Sequence, residues 1–526
     1  MKFEWKITGD RNLVFDNGTT EIRKGKNNII SQLHPCTLES VKGEMTIALH
    51  KNEKIFVNGY QTWTTCPEYD QDDAIRGLHN LPKALIDHYS FDRYSDYHFV
   101  DYPYKKGILH GFSYCYIRRG EFYRLFASLD EQNGYTMFTI NTNTQTMTIE
   151  RDCQGLKAEG NFHAFDLFYA EGSEDDVFDA WFEALGVHPR TDKQISGYSS
   201  WYNRYQDINA EAIRQDLNGC TSIFEKGDLF QIDDGWEPFI GDWLQADENK
   251  FPDGMKVMAD EIHEKGFLAG LWLAPFVAEE KSSIYQNHPE WFYMHENKPW
   301  KAGCNWSGYY ALDLDHPEVI DYLKEVFHQV LDVWEYDLVK LDFLYAIAAF
   351  GNEQETRAAR MIRAMKLLRE LCGDKLILGC GVPVMPAFGL VDYCRISCDV
   401  TLDWNDKMYM RICHRERPST KNAVSNILSR RHLNRRAYLS DPDVFFLRDE
   451  NTSLTEIQKD SLAKLDALLG GVFLTSDDPS NYTETMKGKY KAFRHLCDAE
   501  YVHVNTDHGI HVSYVLDKEE KEEDLF

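Results

Sequence analysis

Residues 316–345 read "HPEVIDYLKEVFHQVLDVWEYDLVKLDFLY", and the stretch changes rhythm part-way. Val319, Leu323, Val326, Phe327, Val330, Leu331 and Trp334 recur at helical spacing and form one apolar stripe. Pro317 stands where a first-turn proline is tolerated. From Leu338 the text turns short, apolar and rich in branched and aromatic residues, the signature of a buried strand. Lys340 and Asp342 interrupt that strand, and a spacing of two puts both charges on one face.

The same strand-then-helix unit repeats on either side. Strands are predicted in "GYSSWYN", "DLFQIDDGW", "FLAGLWLAPF", "DLVKLDFLY", "KLILGCGVP", "DYCRISCDV", "AYLSDPDV" and "GGVFLTSDD". Amphipathic helices such as "DGMKVMADEIHEKG", "TRAARMIRAMKLLRELCG" and "LTEIQKDSLAKLDALLG" lie between them. Eight units in about 290 residues is the arithmetic of a (β/α)8 TIM barrel. "YYALDLDH" (309–316) is assigned to the loop after the third strand.

Before residue 185 the text is all-β in style, with runs such as "KIFVNGYQTW" and "YTMFTINTNTQTMTIE" broken by turn residues. A linking helix is predicted in "EDDVFDAWFEALG". The expected architecture is therefore α/β: an N-terminal antiparallel β-sandwich over 1–185, a catalytic barrel over 186–480, and a short C-terminal β region over 481–526. That last region reads as a hairpin, "YVHVNTDHGIHVSYVL", and a disordered acidic tail, "DKEEKEEDLF".

Composition narrows the partners. A net charge of −28 argues against nucleic acid, because phosphate binding needs a basic footprint. No apolar run is long enough to cross a bilayer, and "MKFEWKITGD" lacks the apolar core of a signal peptide, so a cytoplasmic chain is expected. Twelve cysteines without paired zinc spacing read as reduced, buried thiols. An acidic protein with 13% aromatic residues suits a neutral ligand with apolar faces, sugars among them. No self-complementary surface is marked in the sequence, and homo-oligomerisation stays open.

A barrel of this kind keeps its active site at the carboxyl ends of the strands. Polar residues are dense there: Trp201 in strand one, Asp233 and Asp234 in two, Trp272 in three, Lys340 and Asp342 in four, Cys380 in five, and Arg395 and Asp399 in six. Asp441, Asp443, Asp477 and Asp478 at strands seven and eight read as N-caps of the following helices. Asp342 does not, because "FLYAIAAF" keeps the chain apolar beyond it. Lys340 would hold Asp342 ionised, as a carboxylate nucleophile requires, and the spacing from Arg395 to Asp399 puts them on one strand face. Paired carboxylates with tryptophan to stack on a ring describe a glycosidase. A salt-bridged barrel rim explains the same charges. A barrel binding a hard cation through Asp342, Asp399, Asp233 and Asp234 is a third reading, disfavoured by Lys340.

"FQIDDGW", "GLWLAPF", "LVKLDFLY" and "CRISCDV", with "NGYQTW" upstream, occur in the order found in glycoside hydrolase family 36, the melibiase-type α-galactosidases, whose clan includes family 27. The chain resembles that family over most of residues 55–480. The resemblance implies a retaining, exo-acting α-galactosidase without metal or organic cofactor. Asp342 would be the nucleophile and Asp399 the general acid and base. Asp233 and Asp234 would accept from the 4- and 6-hydroxyls, and Lys340 and Arg395 would bind ring hydroxyls and keep the nucleophile charged. Trp201, Trp272 and Trp63 would line the pocket, and Cys380 would lie near the 2-hydroxyl. Two departures qualify the match. Ala274 and Phe276 replace glutamates of the long family members, and the small Gly381 beside Cys380 leaves N-acetylgalactosamine as an alternative sugar. Raffinose-type transglycosylation is the alternative reaction.

Overall fold

The computed structural model describes the whole chain except residues 11–12, 79–80, 94–95, 101, 409 and 411–415. Its C-terminal part is built on nine parallel strand segments. In chain order they are Ile195–Ser199, Leu229–Ile232, Leu268–Leu273, Leu338–Leu341, Leu376–Gly379, Tyr393–Arg395, Leu439–Asp441, Val444–Phe445 and Val472–Thr475. Leu439–Asp441 pairs with the sixth strand, while Val444–Phe445 pairs with Val472–Thr475, which in turn pairs with the first. The two short segments are one seventh strand broken at Pro442 and Asp443, so the ring closes as eight positions. Proline cannot donate to a ladder and Asp443 lies at φ 91°, which explains the break.

The strands are buried along almost their whole length. That is why they read as apolar runs and not as alternations. Helices Ala210–Cys220, Gly254–Glu264, Pro317–His328, Arg357–Cys372, Thr420–Arg430, Glu456–Leu469 and Glu484–Leu496 cover the outside. The fifth crossover departs from the pattern: only a 3-10 turn, Met385–Ala387, separates the fifth and sixth strands. Residues 309–316 belong to the insertion after the third strand, as expected. There Tyr309–Ala311 forms a small antiparallel sheet with Val277–Glu279 and Lys301–Gly303.

The N-terminal half is antiparallel throughout. The long strand Gly25–Thr46 pairs with Lys2–Gly9 and Thr146–Arg151 at one end and with Lys157–Gly172 at the other. One strand thus contributes to two layers, whose inward faces pack Phe3, Ile7, Val41, Phe138, Ile149 and Phe165. The predicted linking helix is Glu174–Leu185, closed by a capping box at Ser173 and by Gly186 in the left-handed region.

The expectation of a disordered acidic tail is corrected. Glu519–Leu525 is a third strand beside Ile510–Leu516, which also pairs with Glu500–Asn505. Alternation in "EEKEEDL" leaves its charges outward while Leu525 is buried, Lys464 pairs with Glu523, and Phe526 packs on Trp404 at 5.0 Å. Charge density misled the reading because a strand at a sheet edge tolerates an acidic outer face. Among the described residues the cysteines are free thiols, most of them buried, and no helix is long and apolar enough to cross a membrane.

Candidate active site

Parallel pairing sets Trp272 opposite Lys340, and Lys340 opposite Leu378, one layer below the barrel mouth. Asp342 follows directly; its N–H donates to Leu273 O at 2.9 Å, which extends the ladder by one residue. The chain then turns sharply, with Phe343 at φ 54°. A bulky residue in the left-handed region costs about 1–3 kcal/mol and persists where the surroundings over-determine it. The turn lets Phe343 N donate to Asp342 Oδ1 at 2.9 Å, while Trp272 Nε1 donates to Oδ2 at 3.1 Å. Each carboxylate oxygen therefore has a fixed donor.

A cavity of about 580 Å³ opens over these residues. Trp63, Trp201, Asp233, Asp234, Trp272, Lys340, Asp342 and Asp399 all line it. Two expected residues stand behind the wall. Arg395 is 3% exposed, and Cys380 is 1% exposed with its Sγ 3.3 Å from Trp63 Nε1. Trp201 lies in a short helix, Trp201–Arg204, just past the first strand and not within it.

Trp63 reaches the mouth because Arg430 pins its loop. Fully buried on helix Thr420–Arg430, Arg430 donates to Asn58 Oδ1, Thr62 O and Gln61 O, and to Ile396 O on the barrel. Thr62 N adds a bond to Val382 O at 3.0 Å.

The ion pairs differ from the expected ones. Lys340 Nζ bonds Asp233 Oδ2 at 2.8 Å and influences Asp342 through its charge alone. Burial works against the Lys340 charge, yet Asp233, with Cys380 and Asp342 beside it, holds the ammonium above the ordinary lysine range. At Asp342, burial pushes the carboxyl up, and Asp399 adds to that. Lys340, the Cys380 thiol and the Trp272 indole pull it down, and the net direction is upward. Lys340 thus favours the ionised form of Asp342 through its charge and not through a hydrogen bond, while burial and Asp399 oppose it.

Arg395 and Asp399 meet across a turn beyond the sixth strand, at 2.9 Å, and do not share a strand face. Arg395 also donates to Asp441 at 3.2 Å and to Asp443 at 2.7 Å. These two aspartates, expected as N-caps, instead clamp the guanidinium. Burial first, then the charges of Asp399 and Asp441, push Asp443 up to about 7 against the pull of Arg395. Asp477 likewise is no helix cap; it accepts from Leu447 N, Arg448 N and Tyr482 Oη. Asp478 does cap a short turn through Ser480 N. The side chain of Asp399 is 44% exposed, whereas Asp342 is buried, so the two carboxyls of the cavity face different environments.

Sequence reasoning missed Gln206, Trp306, Tyr309 and Phe343 on the cavity wall. Trp306 Nε1 and Gln206 Nε2 both donate to Asp234 Oδ2, at 3.0 and 2.7 Å. The indole of Trp306 packs at 4.9 Å from Phe343 and 6.2 Å from Trp272. "CNWSG" lies in an insertion without strand or helix periodicity, and only its tryptophan hinted at a ring-stacking role. Ala274 and Phe276 are fully buried and present nothing to the cavity.

Residues 195–370 match the Melibiase family model. Among curated relatives, α-galactosidase Mel36A of Lactobacillus acidophilus is 30% identical over 151 residues, 27% of this chain and 20% of that protein. Alpha-galactosidase AgaA of Geobacillus stearothermophilus is 28% identical over 188 residues, 33% of this chain and 25% of its own length. The matches therefore span a quarter or less of these two relatives. Among solved structures, TtGalA, an α-galactosidase from Thermus thermophilus in complex with p-nitrophenyl α-D-galactopyranoside, superposes with a TM-score of 0.73 at 26% identity. The superposition covers 94% of this chain and 98% of that one.

Proposed function

We propose that this chain is a retaining, exo-acting α-galactosidase, hydrolysing terminal α-linked galactose through a covalent glycosyl-aspartate. The observation that carries the reading is the single cavity into which Asp342, Asp399, Asp233, Asp234, Lys340 and four tryptophans converge, in a chain that superposes on TtGalA over nearly its full length. Its volume suits a small polar ligand.

Asp342 attacks the anomeric carbon as the bond to the leaving oxygen breaks, and Asp399 gives its proton to that oxygen. In the second step Asp399 takes a proton from water, the water oxygen bonds the anomeric carbon, and Asp342 leaves. Two inversions amount to retention, for which the two carboxyl groups stand roughly 5–5.5 Å apart in such enzymes. The environments suit the roles. A buried carboxylate whose pKa is pushed up gains when positive charge develops on the sugar ring, so its stabilisation is largest in the transition state. A half-exposed Asp399 can exchange its proton with water. Asp233 and Asp234 read sugar hydroxyls, and losing a buried hydrogen bond to either costs about 1–3 kcal/mol.

Gly381 favours galactose over N-acetylgalactosamine. A methyl group added there would meet Trp63 Cζ2 at 2.8 Å, so tryptophan already fills the space that the small residue leaves. Among the described residues, the grouping with metal-ligand spacing is His288, Glu290 and Glu318, and none of the three lines the cavity.

A panel of aryl α-glycosides followed by NMR tests sugar, reaction and stereochemistry together. The expected result is preferential release of galactose, first as the α-anomer. With azide, Asp342→Ala should yield the β-glycosyl azide and Asp399→Ala the α-glycosyl azide. Near-normal turnover by either variant, or a first product of inverted configuration, would sink the assignment.

A further inference from the structure

Three residues beyond Asp234, on the same turn, stands a second buried carboxyl that the mechanism does not use. Glu237 is 6% exposed and Asp234 is 4% exposed. The two side chains are in hydrogen-bonding contact, and Gly235 N also points at Glu237 Oε2, at 3.4 Å. Among the described residues no cation is bonded to either. Lys340 on the fourth strand is bonded to Asp233, and the ammonium of Lys250 lies on the carbonyls of Gln206 and Gly235. The other acids packed around this turn have their own donors: Glu279 takes Ile240 N and the Ser307 N–H and hydroxyl, and Asp242 takes the Ser283 N–H and hydroxyl. Two buried carboxyls in contact without a counter-ion resist both being ionised.

We propose that Glu237 keeps its proton and donates it to Asp234, making it the positioning residue that holds the sugar-reading carboxylate of this pocket. Asp234 then has three donors, Gln206 and Trp306 on Oδ2 and Glu237 beside them. A carboxylate so restrained presents its remaining acceptor capacity in one direction, which is what discrimination between epimeric hydroxyls requires. The acidities agree in direction. Burial and then the Asp234 charge push Glu237 well above the ordinary glutamate range. Burial also raises Asp234, while its hydrogen bonds to Glu237, Gln206 and Trp306 draw it back. Ionisation of Glu237 in alkali would set two like charges in contact and loosen the sugar acceptor while leaving Asp342 and Asp399 in place.

The role of Asp234 rests on the proposed glycosidase reading; the proton on Glu237 does not, and the two are tested separately. The first arm uses unfolding of the full chain by urea across pH, without substrate. An acid that keeps its proton when folded stabilises at low pH. Above its unfolded value, about 4.3, that stability falls by up to tenfold in the folding constant per pH unit. Glu237→Gln carries a permanent donor of the same shape and should lack this decline. Equal pH dependence in wild type and Glu237→Gln would overturn the proposal, whatever the enzyme's substrate.

The second arm uses the aryl glycoside that the wild type cleaves best. Glu237→Gln should keep KM within about twofold at neutral pH and lose the alkaline rise in KM shown by the wild type. Glu237→Ala should raise KM about tenfold with kcat held, the worth of one buried hydrogen bond. An unchanged alkaline rise in Glu237→Gln would likewise overturn it.

Discussion

Gly381→Ala is a severe test of how the N-terminal half completes the pocket. Gly381 lies at φ 53°, where an added Cβ would sit 2.8 Å from Trp63 Cζ2 and 3.0 Å from Phe343 N. Two costs arise. The left-handed backbone costs an alanine about 1–2 kcal/mol, and overpacking a filled site adds about 1–3 kcal/mol. Neither neighbour yields readily. Trp63 is wedged edge-on against Phe343 at 5.0 Å and Tyr345 at 6.0 Å, and Phe343 N is backbone already at φ 54°. That N–H supports Asp342 Oδ1, so the push is delivered to the proposed nucleophile. Gly227→Ala separates the two costs, since Gly227 at φ 88° has nothing within 4 Å of its would-be Cβ. Urea unfolding should show Gly381→Ala losing about 2–5 kcal/mol and Gly227→Ala only the backbone share. Misplacing a reacting group by a fraction of an ångström should lower kcat/KM by up to about 10²-fold in the first variant and leave the second unchanged. A Gly381→Ala protein with wild-type kcat/KM and no more destabilisation than its control would refute the packing argument.

The nucleophile's surroundings and the C-terminal strand set two further outcomes. Asp342 must be ionised to attack, and its carboxyl is pushed upward, so activity should fall on acidification with a midpoint above that of an ordinary aspartate, about 3.9; Trp272→Phe, which removes one donor from the charged form, should move that limb further toward neutral, and a limb that stays put would contradict the geometry. Deleting residues 518–526 removes the strand Glu519–Leu525, so unfolding should occur at lower urea by the worth of a buried leucine, about 1.5–3 kcal/mol, with kcat/KM unchanged; an unaltered midpoint would mean the strand does not pack.

The barrel was legible because its helices carry a 3.6-residue stripe and its strands are buried on both faces. Burial writes both signals directly into residue order, as in 316–345. The proposed carboxylates were legible for a related reason: a charge such as Asp342 in an apolar run is conspicuous, and strand ends are where a barrel gathers chemistry. Tertiary structure decided who partners whom. Lys340 precedes Asp342 by two residues yet bonds Asp233, and Asp441 and Asp443 clamp Arg395 from the next strand, because neighbours around a ring come from distant segments. Trp306 enters from an irregular insertion with no period to read, and Glu519–Leu525 is ordered by strands it follows. Local pattern records which face of an element is buried. It does not record which distant group that face will meet, nor the depth of burial that pushes Asp342, Asp443 and Glu237 up.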